Sequence, residues 1–298
     1  MNIYPHPKVL ITGGAGFIGS HLVETCLAQE LPVVVLDNFS TGLRSNIPED
    51  SEHVTIIDGS ILDASLCDTA MQGVTCVFHL AAQTSVPASV HDPLMCYETN
   101  IRGTYNILEA ARRNNVQHFV FSSSAAVYGA FEGLCREDET PCSPESPYGT
   151  SKWIGEQLCK EYGKLYGIRT VCLRYFNVYG SRQRTDLPHT AFVATIMHKM
   201  RYNEPIVIYG NGLHERDFVP VERAVQANMK MGKLLINNAW YGETMNIASG
   251  ASQTLRHMIE HLHAQFPDYD LGKIHFAPER PGDVKYSAAY CEKYSNVR

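Results

Sequence analysis

The sequence predicts an α/β protein, in which a doubly wound parallel sheet is combined with a smaller C-terminal α/β lobe. Two observations predict it: apolar segments of strand length recur along the chain, and helix-like segments separate them. The expected strands are residues 8–12, 33–37, 54–57, 76–80, 118–122 and 169–174. The expected helices include 19–28, 97–113 and 148–166. Because the strands are apolar almost throughout, we expect helices on both faces of the sheet.

The regular alternation weakens after Asn177, where loops, His and Pro become more frequent. We therefore predict a sheet domain from residues 1–177 and about 218–248, and a lobe over the carboxyl edge of the sheet from about 178–217 and 249–298. A chain of 298 residues suffices for one large core and such a lobe. The last three residues resemble the start of a helix, so we expect the natural protein to extend further.

The composition indicates an ordinary cytoplasmic protein that binds neither nucleic acid nor membrane. The formal net charge is −6, without a block of Lys and Arg, and the apolar runs are too short to span a bilayer. The N-terminus lacks the pattern of a signal peptide. The 9 cysteines form no CxxC pair, and the 13 histidines lack metal-ligand spacing. We therefore expect reduced thiols and no metal site.

Residues 12–19 read TGGAGFIG between the first strand and the first helix. Gly13 allows a tight turn, Gly16 lets the backbone approach a pyrophosphate, and Gly19 permits close packing of helix and strand. The helix N-terminus then offers N–H groups to phosphates. Asp37 ends the second strand, where a carboxylate accepts hydrogen bonds from ribose hydroxyls and repels a 2′-phosphate. The pattern predicts a Rossmann sheet that binds NAD in preference to NADP.

Tyr148 and Lys152 are spaced i, i+4, which places them on one face of a helix. A Tyr hydroxyl is a weak base at neutral pH, but a nearby ammonium and the positive nicotinamide ring lower its pKa. Taken alone, this spacing is common and is typical of a surface pair. Its position behind the serines 122–124, at the carboxyl end of the fifth strand, favours a proton-transfer site instead.

Nine stretches show a resemblance to a known family. They read TGGAGFIGSHL, LDNFSTG, HLAAQTSVPAS, ETNIRGTYNILEAAR, FSSSAAVYG, SPYGTSKWIGE, LRYFNVYGSRQ, IYGNGLHERDFVPV and PERPGDV. The chain resembles the extended short-chain dehydrogenases/reductases, and among them the nucleotide-sugar 4-epimerases. The resemblance runs over nearly the whole chain.

The resemblance implies roles for individual residues. Ser124 would bind the reacting sugar hydroxyl, Tyr148 would be the acid/base, and Lys152 would bind the nicotinamide ribose. The implied cofactor-binding residues are Gly13, Gly16, Phe17, Ile18, Gly19, Asp37, Asn38, Ser40, Thr41, Gly42, Ser60, Ile61, Leu80, Ala81, Ala82, Asn100, Tyr148, Lys152 and Phe176. The implied substrate-binding residues are Ser124, Asn177, Tyr209, Arg216, Arg280, Asp283 and Ser287.

The chain also departs from the family pattern. Ser60 stands where an Asp usually contacts the adenine amine, which weakens the expected adenine contact. Pro220 and Arg223 replace a Tyr and an Asp after the Arg-Asp-Phe segment, and Tyr290 replaces an Asp near the C-terminus. We expect the changes at Pro220 and Arg223 to alter the packing between the lobes and to leave the chemistry unchanged.

Ala125 and Ala126 precede the Val-Tyr-Gly segment, where related dehydratases and decarboxylases carry acidic residues. Oxidation and re-reduction at C4 of a UDP-sugar, through a 4-keto intermediate and with NAD retained, is then the expected chemistry. Epimerisation of a UDP-uronic acid, or at another carbon, remains an alternative. A non-catalytic NAD-binding protein is a further alternative, although such proteins typically lose the Tyr or the Lys.

Two finer expectations concern substrate and assembly. The resemblance implies that Ser287 borders the C2 substituent of the sugar, where a small residue leaves room for an acetamido group. Its alternative is a cap of the terminal helix. The resemblance also implies a homodimer through a four-helix bundle, while the alternative is burial against the chain's own sheet. The apolar residues expected in the bundle are Ile101, Tyr105, Leu108, Leu158, Tyr162 and Leu165.

Overall fold

The computed structural model describes residues 7–187, 191–279 and 285–297. The strands are β1 (Val9–Thr12), β2 (Val33–Asp37), β3 (Val54–Asp58), β4 (Cys76–His79), β5 (His118–Ser124), β6 (Leu134–Cys135), β7 (Arg169–Tyr175), β8 (Val178–Tyr179), β9 (Ile206–Tyr209), β10 (Glu215–Asp217), β11 (Val219–Pro220), β12 (Tyr241–Ile247), β13 (Ser252–Thr254), β14 (Ile274–Ala277) and β15 (Tyr286–Ala289). The helices are α1 (Phe17–Leu27), α2 (Ala64–Ala70), α3 (Val86–His91), α4 (Pro93–Tyr97), α5 (Gly103–Arg113), α6 (Pro147–Tyr166), α7 (Phe192–Arg201), α8 (Val221–Leu235), α9 (Leu255–His263) and α10 (Glu292–Asn296).

The central sheet has seven strands in the order β12-β7-β5-β4-β1-β2-β3, and all of its pairs are parallel. The strand order reverses between β1 and β4, so a crevice opens there at the carboxyl edge of the sheet. Ligands of such sheets bind at this reversal. The doubly wound α/β fold is confirmed.

Alternate residues of each inner strand enter opposite cores, as strand geometry requires. In β1, Val9 and Ile11 join one cluster of buried residues, while Leu10 joins the other. The first cluster is covered by α1 and α8, and the second by α2, α5 and α6. Helices therefore cover both faces of the sheet, and functional side chains are left mainly to its carboxyl edge.

The smaller lobe contains a four-stranded sheet in the order β13-β10-β15-β6 and the two-stranded pair β14-β9. A third cluster of buried residues lies between α7 and α9. Residues 221–247 return to the large sheet as α8 and β12. The end of the chain differs from the expected lobe, because α10 packs against β12, and Cys291 and Tyr294 pack on the first core cluster.

The expected helix over residues 97–113 is interrupted. The chain forms α4, then a wider π turn over Glu98–Arg102, and only then α5. From the first turn of α5 the Thr104 hydroxyl donates a hydrogen bond of 2.5 Å to the carbonyl oxygen of Asn100, which lies in the π turn. π turns frequently mark functional sites. Asn100 is one of the residues to which the resemblance gives a role in cofactor binding.

Within the described ranges, no helix is both long and apolar enough to cross a membrane. The same ranges hold no group of three or more His, Cys, Asp or Glu side chains suited to a metal ion. All nine cysteines lie in these ranges as free thiols.

Gly13 has a backbone φ of +70°, and a Cβ there would lie 2.7 Å from the Ala81 nitrogen. Gly167 has nearly the same φ, +73°, with open space around it. We predict that Gly167→Ala lowers the free energy of unfolding by about 1–2 kcal/mol, the cost of a left-handed alanine. Gly13→Ala adds a backbone collision and should cost about 2–5 kcal/mol. Urea unfolding of both variants checks this, and equal losses would show that the approach of Ala81 imposes no constraint.

Candidate active site

The glycine loop joins β1 to α1 at the strand-order reversal. Helix α1 begins after Gly16, and no side chain caps its first turn. A Cβ on Gly19 would collide with the carbonyl oxygen of Gly13, so helix and loop can approach closely only with glycine at this position. The N–H groups of Phe17 and Ile18 therefore lie in a turn that is open to an anion.

Asp37 lies at the carboxyl end of β2 and is 8% exposed. Its Oδ2 accepts a hydrogen bond of 2.8 Å from the N–H of Ala15, and its Oδ1 accepts one of 2.9 Å from the N–H of Phe39. Burial raises the pKa of Asp37, and these two backbone bonds oppose the rise. The carboxylate thus ties the glycine loop to the segment after β2. Each oxygen keeps a second acceptor position that a ribose hydroxyl could use.

The other residues assigned to the adenosine side follow β2 and β3. The Asn38 side chain accepts hydrogen bonds from the N–H and the hydroxyl of Ser40. The hydroxyl oxygen of Ser60 accepts one of 3.2 Å from the N–H of Leu62, so it shapes its own turn. Gly42 lies against Ala15, Ile61 is buried, and the Thr41 carbonyl accepts from Arg184. The strands bring these segments together beside Asp37.

The candidate catalytic side chains lie between β5 and α6. Ser146 caps α6, and the Tyr148 N–H donates to Ser89 at 3.1 Å, which fixes the start of the helix. The Ser124 side chain lies close enough to the Tyr148 hydroxyl to lower its pKa as a hydrogen-bond partner. Lys152 is 4% exposed, and its Nζ donates to the carbonyl oxygen of Ser122 at 2.7 Å. The structure therefore brings together Ser124, Tyr148 and Lys152 as the sequence predicts.

The electrostatics of this group differ from the expectation. Burial raises the pKa of Tyr148, and the bond with Ser124 opposes the rise only in part. Burial also lowers the pKa of Lys152 to about 8. The Lys152 Nζ lies 5.9 Å from the centre of the Tyr148 ring and bonds to a carbonyl group instead. We expect this ammonium and a positive nicotinamide ring together to lower the Tyr148 pKa. The side chains of the protein alone do not lower it.

The loop after β4 carries Leu80, Ala81 and Ala82, the residues assigned to the nicotinamide side. Asn100 holds this loop from behind: its Oδ1 accepts from the Gln83 N–H at 2.7 Å, and its Nδ2 donates to the Gln83 carbonyl at 2.9 Å. The same Nδ2 donates to the Ser151 hydroxyl at 2.9 Å. Because the Asn100 amide bonds to Gln83 and Ser151, this residue supports the loop after β4. Its direct contact with the cofactor stays a prediction.

A buried ion pair behind the site was missed by sequence reasoning. Glu156 lies one turn after Lys152 on α6 and binds the Arg174 guanidinium through both oxygens, at 2.8 and 2.7 Å. The Ser123 hydroxyl also donates to Glu156, at 2.6 Å. The pair therefore locks α6 against β5 and β7. An Arg inside an apolar strand and a Glu at i+4 from Lys152 were the available signals.

The predicted sugar-nucleotide residues lie on the lobe side. The Asn177 Nδ2 donates to the carbonyl oxygen of Asp217 at 3.0 Å, and Phe176 is buried against Tyr128. Tyr209 ends β9. Arg216 and Ser287 are direct neighbours on the parallel strands β10 and β15. Arg280 and Asp283 lie outside the described residues.

The alternative for Ser287, a cap of the terminal helix, is wrong. Ser287 lies inside strand β15, and α10 begins only at Glu292, after Cys291. The pairing with Arg216 fixes the register of Ser287 in the lobe sheet.

Comparison with known proteins decides the family. Residues 9–248 match the NAD dependent epimerase/dehydratase family. The chain belongs to this family. A putative UDP-glucose 4-epimerase from Methanocaldococcus jannaschii is 38% identical over 254 residues, which is 85% of this chain and 80% of that protein. A UDP-N-acetyl-alpha-D-glucosaminuronate decarboxylase from Bacillus cytotoxicus is 30% identical, over 97% of this chain and 93% of that protein.

Solved structures agree over nearly the whole chain. A UDP-N-acetylglucosamine 4-epimerase from Methanobrevibacter ruminantium, in complex with UDP-N-acetylmuramic acid, superposes with a TM-score of 0.91 at 33% identity, covering 98% of this chain and 93% of that one. A Thermus thermophilus UDP-glucose 4-epimerase in complex with NAD gives a TM-score of 0.86 at 35% identity, covering 97% of this chain and 92% of that one. The protein is thus an extended short-chain dehydrogenase/reductase, and NAD is its cofactor.

The residues present fit this cofactor. A Cβ on Gly13 would collide with the backbone of Ala81, so the two loops that border the crevice meet only because residue 13 is glycine. The open first turn of α1 suits a pyrophosphate, and Asp37 suits a ribose. Lys152 and Tyr148 lie further along the same edge, where the resemblance implies the nicotinamide.

Proposed function

We propose that the protein interconverts UDP-sugars that differ in configuration at C4. The observation that carries the proposal is the Ser124–Tyr148–Lys152 group, in which Lys152 is buried and Ser124 and Tyr148 are half-buried, directly beside Ala125 and Ala126. This group can move a proton at a sugar hydroxyl, and the two alanines offer no further acid for elimination or decarboxylation. The 4-epimerase names among the relatives support the same activity.

NAD, when bound, supplies hydride acceptance and return at the sugar carbon. Tyr148 takes the proton of the C4 hydroxyl as that carbon is oxidised, and Ser124 holds the same oxygen in line. Lys152 provides positive charge beside the Tyr148 ring. After the 4-keto sugar presents its other face, Tyr148 returns the proton. The Ser124 oxygen also accepts from the Ala126 N–H at 3.1 Å, which limits the positions it can take.

We propose that Asn177, Tyr209 and Arg216 bind the sugar nucleotide. The resemblance adds Arg280 for the diphosphate and Asp283 for the nucleoside. A guanidinium suits this role because its planar donors match phosphate oxygens. Epimerisation of a UDP-uronic acid is the second candidate, since a relative in the family acts on a uronate. Incubation with a panel of UDP-sugars, followed by NMR of the anomeric protons, separates these activities from each other. It also identifies a non-catalytic NAD-binding protein, which would convert none of the sugars.

Tyr148→Phe should retain NAD and reduce turnover about 100-fold or more, because it removes the group that carries the proton. Steady-state epimerisation and the nucleotide content of the purified protein are measured. Tyr166→Phe is the matched control, since Tyr166 lies on the same helix and is 50% exposed. Turnover close to that of the unchanged protein in Tyr148→Phe would remove Tyr148 from the mechanism.

A finer proposal concerns the acetamido group. Ser287 is a small residue next to Arg216 in the lobe sheet, and we propose that it leaves room for a C2 acetamido substituent. UDP-N-acetylglucosamine and UDP-N-acetylgalactosamine would then be accepted alongside or ahead of UDP-glucose and UDP-galactose. The 4-keto intermediate must also turn beside this position, so side-chain volume acts on turnover as well as on binding.

The expected result for Ser287→Tyr is a selective loss of kcat/KM for the acetylated pair, by about 10-fold or more, because the ring fills the space beside C2. Kinetics on both sugar pairs measure it. Ser295→Tyr, on the exposed face of α10, controls for adding a ring to this end of the chain. The proposal fails if both pairs lose activity equally, or if the unchanged protein does not act on acetylated sugars.

The face formed by α4, α5 and α6 supports a homodimer. Tyr97, Ile101, Tyr105 and Leu158 line one concave surface on it. Exposed fractions are 47% for Tyr105 and 65% for Leu165, so these side chains are not used by the chain's own core. Leu108 and Tyr162 differ from the expectation, because both are buried in the second core cluster. We propose that the exposed members of this face pair with a second copy.

Light scattering at micromolar concentration should give twice the mass of one chain. Tyr105→Glu should shift the protein towards monomer, because it would bury a charge in an apolar interface. Leu271→Glu, on an exposed leucine of the lobe, should leave the mass unchanged. A monomer in the unchanged protein contradicts the dimer.

A further inference from the structure

A chain of buried hydrogen bonds runs behind the cofactor crevice and passes through His79. This residue ends β4 and is 1% exposed. Its Nδ1 lies 2.7 Å from the Thr12 hydroxyl, and its Nε2 lies 3.0 Å from the Thr104 hydroxyl. Both nitrogens are therefore used, and neither bonds to a charged group.

The direction of every bond in this chain can be derived from one contact. The Thr104 hydroxyl lies 2.5 Å from the carbonyl oxygen of Asn100, which can only accept, so Thr104 must give its proton there. It can then only accept from His79, and Nε2 must carry the hydrogen. In a neutral ring Nδ1 is left as the acceptor, so the Thr12 hydroxyl donates to it.

Both ends of the chain of bonds hold the loop after β4, and one of them does so from Thr12, the residue before the glycine loop. With its proton given to His79, the Thr12 oxygen accepts from the Ala81 N–H at 3.2 Å. At the other end lies Asn100, whose amide clamps the backbone of Gln83. The loop after β4 is thus held at Ala81 through Thr12 and at Gln83 through Asn100, with His79 between the two supports.

The chain also continues to the catalytic helix. The Asn100 Nδ2 donates to the Ser151 hydroxyl at 2.9 Å, and Ser151 donates to the carbonyl oxygen of Tyr148 at 2.7 Å. Glycine loop, nicotinamide-side loop and catalytic helix therefore share one set of directed bonds.

We infer that His79 is a positioning residue, which as the neutral Nε2–H tautomer fixes the loop at Ala81–Gln83 relative to the glycine loop and to α6. Removing one of its bonds should loosen the nicotinamide end of the cofactor site. The inference rests on NAD binding and is independent of the sugar. It would stand even if the proposed epimerisation failed.

Protonation would break this arrangement, since Nδ1 would lose its acceptor role. Burial, and after it the positive charge of Lys152, lower the pKa of His79 to about 3. The aromatic rings that face it, Phe119 and Phe121, carry no charge. The ring should therefore stay neutral through the range in which most histidines titrate.

The first test reads the tautomer directly. Two-bond proton–nitrogen NMR spectra of the holoenzyme labelled with ¹⁵N-histidine, with the His79 signal assigned by its loss in His79→Phe, should show a protonated Nε2 and a bare Nδ1. That pattern should not change between about pH 5 and 8. A protonated Nδ1, or a ring that titrates in this range, overturns the inference.

The second test measures how firmly the loop after β4 holds NAD, and it does not require that His79→Phe folds. Thr104→Val removes one hydroxyl from the chain of bonds at nearly constant volume. Thr170→Val is the matched control: Thr170, on β7, is as fully buried as Thr104, and its hydroxyl donates to the carbonyl oxygen of Cys159. We expect exchange of bound NAD for isotopically labelled NAD to be about 5- to 30-fold faster in Thr104→Val, the scale of one buried hydrogen bond.

Thr170→Val should lower the melting temperature while changing the NAD exchange rate less than about two-fold, since its lost bond is of the same kind but lies away from the crevice. An unchanged exchange rate in Thr104→Val, or an equal acceleration in both variants, shows that the chain of bonds acts on stability alone and overturns the positioning role.

Discussion

Two backbone segments meet at the carboxyl edge of the central sheet, and their separation sets the shape of the cofactor crevice. One is the glycine loop after β1, and the other is the loop after β4. At Gly13 the distance is so small that even a Cβ would lie 2.7 Å from the Ala81 nitrogen. Because β1 and β4 are paired in parallel, residue by residue, the two loops leave the sheet side by side at the point where the strand order reverses. The cofactor site depends on this contact.

Polar side chains hold the loops, and most of them bond to backbone. Asp37 binds the N–H groups of Ala15 and Phe39, and Asn100 binds both backbone groups of Gln83. Buried polar groups are costly unless they are paired, and a fully paired network gives a single arrangement. Residues that a sequence pattern assigns to ligand binding thus also hold the backbone of the loops in place. Their substitution should alter loop geometry as well as direct contacts.

The catalytic helix is placed by a different interaction. The bidentate bonds between Glu156 and Arg174 join α6 to β7, and Ser123 adds β5 to the pair. A buried ion pair is a weak source of stability, but it tolerates few alternative geometries. Lys152 and Tyr148 lie one and two turns before Glu156 on the same helix face. The ion pair therefore helps to fix the position of the helix that carries Tyr148 and Lys152.

The sequence by itself determined the strand and helix alternation, the glycine loop, Asp37 and the Tyr148–Lys152 pair. These features depend on local spacing and on strand ends, which a linear pattern records. Only the tertiary structure decided which distant side chains meet. Thr12 and His79 are 67 residues apart, and His79 and Thr104 are 25 apart, and no periodicity links them. The π turn at Asn100, the strand position of Ser287 and the packing of α10 on β12 were likewise decided by tertiary contacts. The physical reason is that buried polar groups take whichever partners the strand register brings within hydrogen-bonding distance, and the register is a property of the whole sheet.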